Sequence, residues 1–92
     1  MLQLVTTSKF RKDYKRIKKR KYDISLLEEV IDTLLREEEL EPKYRDHPLT
    51  GNYTGFRECH IQSDWLFIYM ISDSELILTA SRTGTHSDLF DE

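Results

Sequence analysis

The sequence predicts an α+β domain in the order β-α-α-β-β-β, with two N-terminal helices packed on a mostly antiparallel sheet. Three observations carry that expectation. Apolar residues recur at helical spacing twice before residue 36, three strand-like runs follow residue 54, and turn residues separate those runs. At 92 residues and 38% hydrophobic content, the chain is long enough for one core and too short for two. With neither a repeat nor a linker-like stretch in view, residues 1–92 read as a single domain.

The elements follow in order. Met1 to Thr6 alternates Leu2, Leu4 and Thr6 against Met1, Gln3 and Val5, as a short strand does. Thr7 or Ser8 caps a helix in which Phe10, Tyr14 and Ile17 share a face. Tyr22-Asp23-Ile24 breaks it, and Ser25-Leu26-Leu27-Glu28 matches a capping box for the next helix. There Leu26, Leu27, Val30, Ile31, Leu34 and Leu35 form a broad apolar stripe that ends near Glu38 or Glu39. Leu40 to Thr54, with Pro42, Pro48 and Gly51, reads as a long loop of the kind that tends to carry function. Strands are expected over Gly55–Ile61, Asp64–Ile71 and Glu75–Arg82, and a last helical turn over His86–Phe90.

A two-residue turn at Gln62-Ser63 pairs Cys59 with Leu66 and His60 with Trp65. One face of the hairpin then carries Cys59, Ile61, Leu66, Ile68 and Met70, to be packed on the leucine-rich helix. The other carries Phe56, Glu58, His60, Trp65, Phe67 and Tyr69, and forms a cleft. The whole assignment depends on register, because a one-residue slip exchanges the two faces.

Charge is distributed unevenly. The net charge of −3 divides into nine Lys and Arg against Asp13 in residues 1–21, and five against sixteen acids in residues 22–92. The compact basic group suits a polyanion, whereas the acidic remainder argues against a sequence-blind nucleic-acid coat. No apolar run approaches the roughly 18 residues of a membrane span, and no secretory leader is visible. A cytoplasmic location is expected. Cys59 is the only cysteine, so an internal disulfide and a multi-cysteine zinc site are excluded.

Histidine carries the chemical interest, because imidazole both takes and gives protons near neutral pH. His47 lies in the long loop, His60 near a strand end, and His86 after the last strand, with Asp64 four residues beyond His60. Three other chemistries fit less well. A three-histidine zinc site lacks any short ligand spacing. Cys59 and His60 are strand neighbours that point to opposite faces. Gly51, Gly55 and Gly84 match no phosphate-loop spacing. Metal-free cleavage of RNA fits better. His47, His60, His86 and Asp64 would move protons, Arg82 or a protonated histidine would neutralise the phosphoryl group, and Trp65, Phe67, Tyr69 and Phe90 would stack unpaired bases.

The stretch Asp46-His47-Pro48-Leu49-Thr50-Gly51, with Gly55-Phe56-Arg57, His60-Ile61, Asp64-Trp65, Ile68-Tyr69, Arg82-Thr83-Gly84-Thr85-His86 and Leu89-Phe90, resembles the YafQ toxins. These belong to the RelE/ParE superfamily of type II toxin–antitoxin systems, and the resemblance covers nearly the whole chain. It implies a RelE-like fold and a ribosome-dependent mRNA endonuclease that cuts codons in the A site, with no cofactor and no metal. Adenine-rich lysine codons are the implied preference. The implied catalytic residues are His47, His60, Asp64 and His86, and Trp65, Arg82 and Phe90 fall in the same RNA-binding cleft. The basic residues Lys9, Arg11, Lys12, Lys15, Arg16, Lys18 and Lys19 become the candidate rRNA contacts, in a chain more acidic than ribosome-binding toxins commonly are. Implied partners are the ribosome with its mRNA and a cognate antitoxin of the DinJ/RelB kind, usually a ribbon-helix-helix protein. Operator DNA would be reached only through that antitoxin, and no membrane is involved. The alternative within the superfamily is a ParE-like toxin that inhibits gyrase by binding, which has no need of this histidine set. Acid and base roles stay open among the four catalytic residues.

Overall fold

The computed structural model describes residues 1–90. Its elements are β1 (Gln3–Thr6), α1 (Ser8–Lys19), α2 (Ile24–Leu35), β2 (His47–Pro48), β3 (Arg57–Gln62), β4 (Trp65–Ser72), β5 (Ile77–Gly84) and α3 (His86–Phe90), with 3-10 turns at Pro42–Tyr44 and Gly51–Tyr53. The sheet runs β1-β5-β4-β3-β2, and every neighbouring pair is antiparallel except β1 with β5. The expected α+β layout is therefore what the chain adopts. The long loop adds one element to it, because His47 and Pro48 pair with Glu58 and Arg57 as a fifth, edge strand.

Thr7 caps α1 by accepting a hydrogen bond from the Phe10 backbone N–H, 3.0 Å away. The start of α2 differs from expectation. Asp23, not Ser25, is its N-cap, and Asp23 Oδ1 accepts from both the N–H and the hydroxyl of Ser25. A carboxylate at that place also meets the positive end of the helix dipole, which a serine hydroxyl does not. The same dipole helps to explain why α2 stops at Leu35 instead of Glu38 or Glu39. Glu37 to Glu39 would place three acids at the negative helix end, and Glu37 turns left-handed with φ 61°.

The hairpin turn is Ser63-Asp64, not Gln62-Ser63. Gln62 pairs with Trp65, His60 with Leu66, and Cys59 with Phe67, with a bulge between His60 and Gln62. This slip exchanges the faces of β4. Trp65, Phe67 and Tyr69 join Cys59 and Ile61 in the main core under α1 and α2, against Phe10, Ile17, Leu27, Val30 and Leu34. Leu66 and Ile68 instead sit on the opposite face with Leu89, covered by Leu49, Tyr53 and Phe56. The bulge lets a buried indole and two aromatic rings fill the wide space below the helices, which the aliphatic residues were expected to fill.

Two anchors place the end of β5 and the start of α3. Asp13 of α1 is 3% exposed, yet it accepts from Arg82 Nε at 2.7 Å, Arg82 Nη2 at 3.1 Å, Arg16 Nη2 at 2.7 Å and the Thr83 backbone N–H at 3.1 Å. Four donors to one buried carboxylate offset the cost of taking it out of water. Asp88 accepts from the Thr85 backbone N–H while Thr85 Oγ1 accepts from Asp88 N–H, a reciprocal cap for α3. Arg20 grips the same carboxylate with two nitrogens, at 2.6 and 3.1 Å, and holds the Asp88 carboxyl well below the usual carboxylate range.

Gly84 makes that clamp possible. Its φ is +149°, and a Cβ there would lie 2.9 Å from Asp88 Oδ2 and 3.0 Å from Asp88 Cβ. Gly84→Ala is expected to push Asp88 off Arg20 and loosen α3, lowering stability by about 1–3 kcal/mol. Thermal melts check this, and the deficit should shrink in acid. Asp88's clamp is fully present above its unfolded value near pH 4 and is lost as pH falls through its lower folded value.

Candidate active site

Register across the sheet assembles the site on the face opposite the main core. Residues paired directly share a face, so His47 on β2, Glu58 on β3, Ile68 on β4 and Arg82 on β5 form one row. The next row is His60, Leu66 and Gly84, and His86 follows two residues beyond Gly84. The three imidazoles thus stand in line. His47 and His60 have ring centroids 6.2 Å apart, and His60 and His86 have theirs 5.9 Å apart.

Each end of the line has its own carboxylate. Asp64, placed in the hairpin turn by the bulge, accepts from the His86 backbone N–H at 3.0 Å, and its Oδ1 lies 2.6 Å from His86 Nδ1. A carboxylate accepts these bonds best when ionised, so the His86 contacts hold the Asp64 carboxyl below its ordinary range. Since an ionised carboxylate only accepts, His86 carries a hydrogen on Nδ1, and its side chain is 55% exposed. At the other end Glu58 is nearly buried, with Oε1 3.3 Å from His47 Nε2 and 3.8 Å from His60 Nε2. Arg45 reaches the same group, with Nη2 3.1 Å from His60 Nδ1 and its carbonyl oxygen 2.7 Å from His47 Nδ1.

All four expected catalytic residues, His47, His60, Asp64 and His86, therefore meet on one face. Arg82 is there too, with two nitrogens given to Asp13 and Tyr53 against it. Phe90 remains 39% exposed at the rim and meets Tyr53 edge-on at 5.9 Å. Trp65 is the exception. At 1% exposure, with Nε1–H donated to Thr83 Oγ1 at 2.9 Å, it is core and offers no surface for an RNA base. Phe67 and Tyr69 are removed from the cleft by the same register. Cys59 lies in the helix-facing core, where burial pushes its thiol up, so it pairs with no histidine as a nucleophile.

The sequence placed Glu58 on the cleft face beside His60 without giving it a role, and Arg45 was not singled out. An acid two residues before His60 on a strand shares its face, which was the legible sign for Glu58. Arg45 had none, because its placement comes from the fold of the loop. A cavity of about 620 Å3, lined by residues 37–42 with Arg45, Asp46, Arg57 and Tyr69, has no histidine in its wall, whereas His60 lines one of about 370 Å3 with Tyr44 and Arg45. Along the line His47 and His86 are about half exposed, while His60 between them is 12% exposed by side chain.

Over residues 2–91 the sequence matches the family described as the bacterial toxin of type II toxin-antitoxin systems, YafQ. The chain belongs to the YafQ family. The mRNA interferase toxin YafQ of Escherichia coli strain K12 is 36% identical over 85 residues, 91% of this chain and 90% of the relative. A metal-bound toxin from Helicobacter pylori superposes with a TM-score of 0.92 at 46% identity, covering 98% of this chain and 100% of that one. YafQ from the E. coli DinJ–YafQ complex superposes at 0.89 with 34% identity, covering 98% and 99%. That Helicobacter toxin holds a metal, so the histidine and carboxylate donors of this chain bear on whether it could do the same. Among the described residues no three His, Cys, Asp or Glu side chains are placed to hold one ion. His86 turns Nδ1 to Asp64, while His47 and His60 face Glu58, and the donors as placed do not form a metal centre.

Proposed function

We propose that this YafQ-family toxin is a ribosome-dependent mRNA endonuclease that cuts A-site codons by acid/base catalysis and so stops translation. The His86–Asp64 pair carries the reading. It presents an oriented imidazole at the open face, with its second nitrogen free to exchange a proton. The ribose 2′-oxygen attacks the adjacent phosphorus while the P–O5′ bond breaks. One imidazole takes the 2′ proton and another gives a proton to the departing 5′ oxygen. The products are a 2′,3′-cyclic phosphate and a 5′-hydroxyl. His86 at one end and His47 at the other can divide these roles, with His60 between them. Arg82 keeps Nη1 outside its fork with Asp13 and supplies positive charge to the phosphoryl group. Phe90 offers a stacking surface for a base. Identifying the cut ends tests the chemistry: a 5′-phosphate in place of a 5′-hydroxyl would contradict it.

Delivery to the ribosome falls to α1. Lys9, Lys12, Lys15 and Lys19 are exposed, and among the described residues none of them forms an ion pair. Arg16 and Arg20 are instead committed to Asp13 and Asp88. Lys9, Lys12 and Arg16 line a hollow with Arg82, so the basic face runs into the cleft. Reversing Lys12, Lys15 and Lys19 to Glu should weaken ribosome binding and flatten its log–log salt dependence by up to about 3. Titration at two or more salt concentrations reads this directly. Unchanged ribosome affinity with weaker antitoxin binding would assign the face to the antitoxin. No helix among the described residues is long and apolar enough to cross a membrane, and action on ribosomes places the toxin in the cytoplasm. A cognate antitoxin of the DinJ kind, bearing a ribbon-helix-helix domain, would bind the toxin and alone contact operator DNA.

A further inference from the structure

We propose that Arg45 is a positioning residue that holds His47 and His60 in opposite tautomers. The inference rests on the nuclease reading only for its consequence in cleavage. Arg45 ends the 3-10 turn Pro42–Tyr44 in the left-handed region, at φ 48° and ψ 45°, a conformation that a long side chain adopts only when its surroundings require it. That twist aims both halves of the residue at the cleft.

The carbonyl oxygen lies 2.7 Å from His47 Nδ1, and the guanidinium Nη2 lies 3.1 Å from His60 Nδ1. A carbonyl only accepts, so His47 carries its hydrogen on Nδ1. A guanidinium only donates and does not lose its proton, so His60 Nδ1 is bare and its hydrogen sits on Nε2. Both Nε2 atoms face Glu58 Oε1, at 3.3 Å for His47 and 3.8 Å for His60. The two rings are therefore unlike. His60 points its Nε2–H toward Glu58 from 3.8 Å and has its other nitrogen covered by Arg45, so it orders the row. His47 faces Glu58 with a nitrogen that bears no hydrogen in the neutral ring. One residue thus sorts two neighbouring imidazoles into opposite tautomers, with His86, paired with Asp64, at the other end of the line.

Two arms test this in the full chain. In 15N-labelled protein above neutral pH, long-range nitrogen–proton spectra should show His47 protonated at Nδ1 and His60 at Nε2. Arg45→Met keeps the length and removes the donor, and should let the His60 ring populate its other tautomer while His47 stays as it was. In the second arm, single-turnover cleavage on programmed ribosomes should fall about tenfold or more in Arg45→Met at unchanged ribosome affinity. Arg45→Lys, which keeps a donor, should recover most of that loss. A His60 ring protonated at Nδ1 in the wild type would overturn the proposal. So would an Arg45→Met protein that cleaves normally, or one that loses affinity alone. If the wild type cuts no mRNA, the nuclease reading fails while the spectra still decide the tautomers.

Discussion

His86→Ala should abolish mRNA cleavage while leaving the fold unchanged. His86 is 55% exposed by side chain and lies outside both buried clusters, so its loss opens no cavity. What is removed is the imidazole oriented by Asp64, and a missing acid or base costs about 10²–10⁴ in rate, or about 3–5 kcal/mol of barrier. Asp64→Asn should also lower the rate by up to about 10⁴, because the Nδ1 hydrogen is no longer drawn to a charge and an amide can select the other tautomer. Cleavage assays on programmed ribosomes, paired with thermal melts, separate the two properties. Wild-type rates in a folded His86→Ala protein would remove the residue from the mechanism.

Trp65→Ala should do the reverse and act through stability. The indole is 1% exposed, lies edge-on to Tyr22 at 4.9 Å and donates to Thr83 Oγ1, so truncation leaves a large cavity and takes one hydrogen bond from the Thr83 hydroxyl, which keeps its bond to the Leu66 carbonyl oxygen. A loss of about 3–5 kcal/mol is expected, a large part of the roughly 5–15 kcal/mol that holds a domain together. Trp65→Phe should keep enough of the core to fold and, once folded, should cut mRNA at close to the normal rate. Phe90→Ala should instead weaken cleavage with little change in the melt, since that ring is at the rim. A Trp65→Phe protein that melts normally yet cannot cut would return Trp65 to the RNA.

The difference between Trp65 and Phe90 shows what the residue pattern could reveal. Helical spacing of Phe10, Tyr14 and Ile17, and of the Leu26 to Leu35 stripe, is a local property, so α1 and α2 were legible within a few residues of their ends. The ends themselves turned on charge against the helix dipole, at Asp23 and at Glu37. Strand faces depend on register, and register depended on a bulge at Ile61 that no local pattern announces. Hence His60 was placed on its correct face, while the three aromatic residues of β4 were placed on the wrong one. The candidate site residues His47, His60, Asp64 and His86 were legible as a motif, but their division into an Asp64–His86 pair and a Glu58-facing pair comes from tertiary contacts alone. Asp13 could have been noticed sooner. It is the one acid among nine cations in residues 1–21, and it is the residue that ties α1 to Arg82 and Thr83.

Mapping mRNA ends at nucleotide resolution, with and without the purified protein, tests the central claim most directly. The comparison is between mRNA held on ribosomes with an empty A site and the same mRNA free in solution. New 5′-hydroxyl ends are expected within the A-site codon on ribosomes, with none on free mRNA and none with His86→Ala. Intact mRNA on those ribosomes, from a folded protein that instead inhibits gyrase, would contradict it.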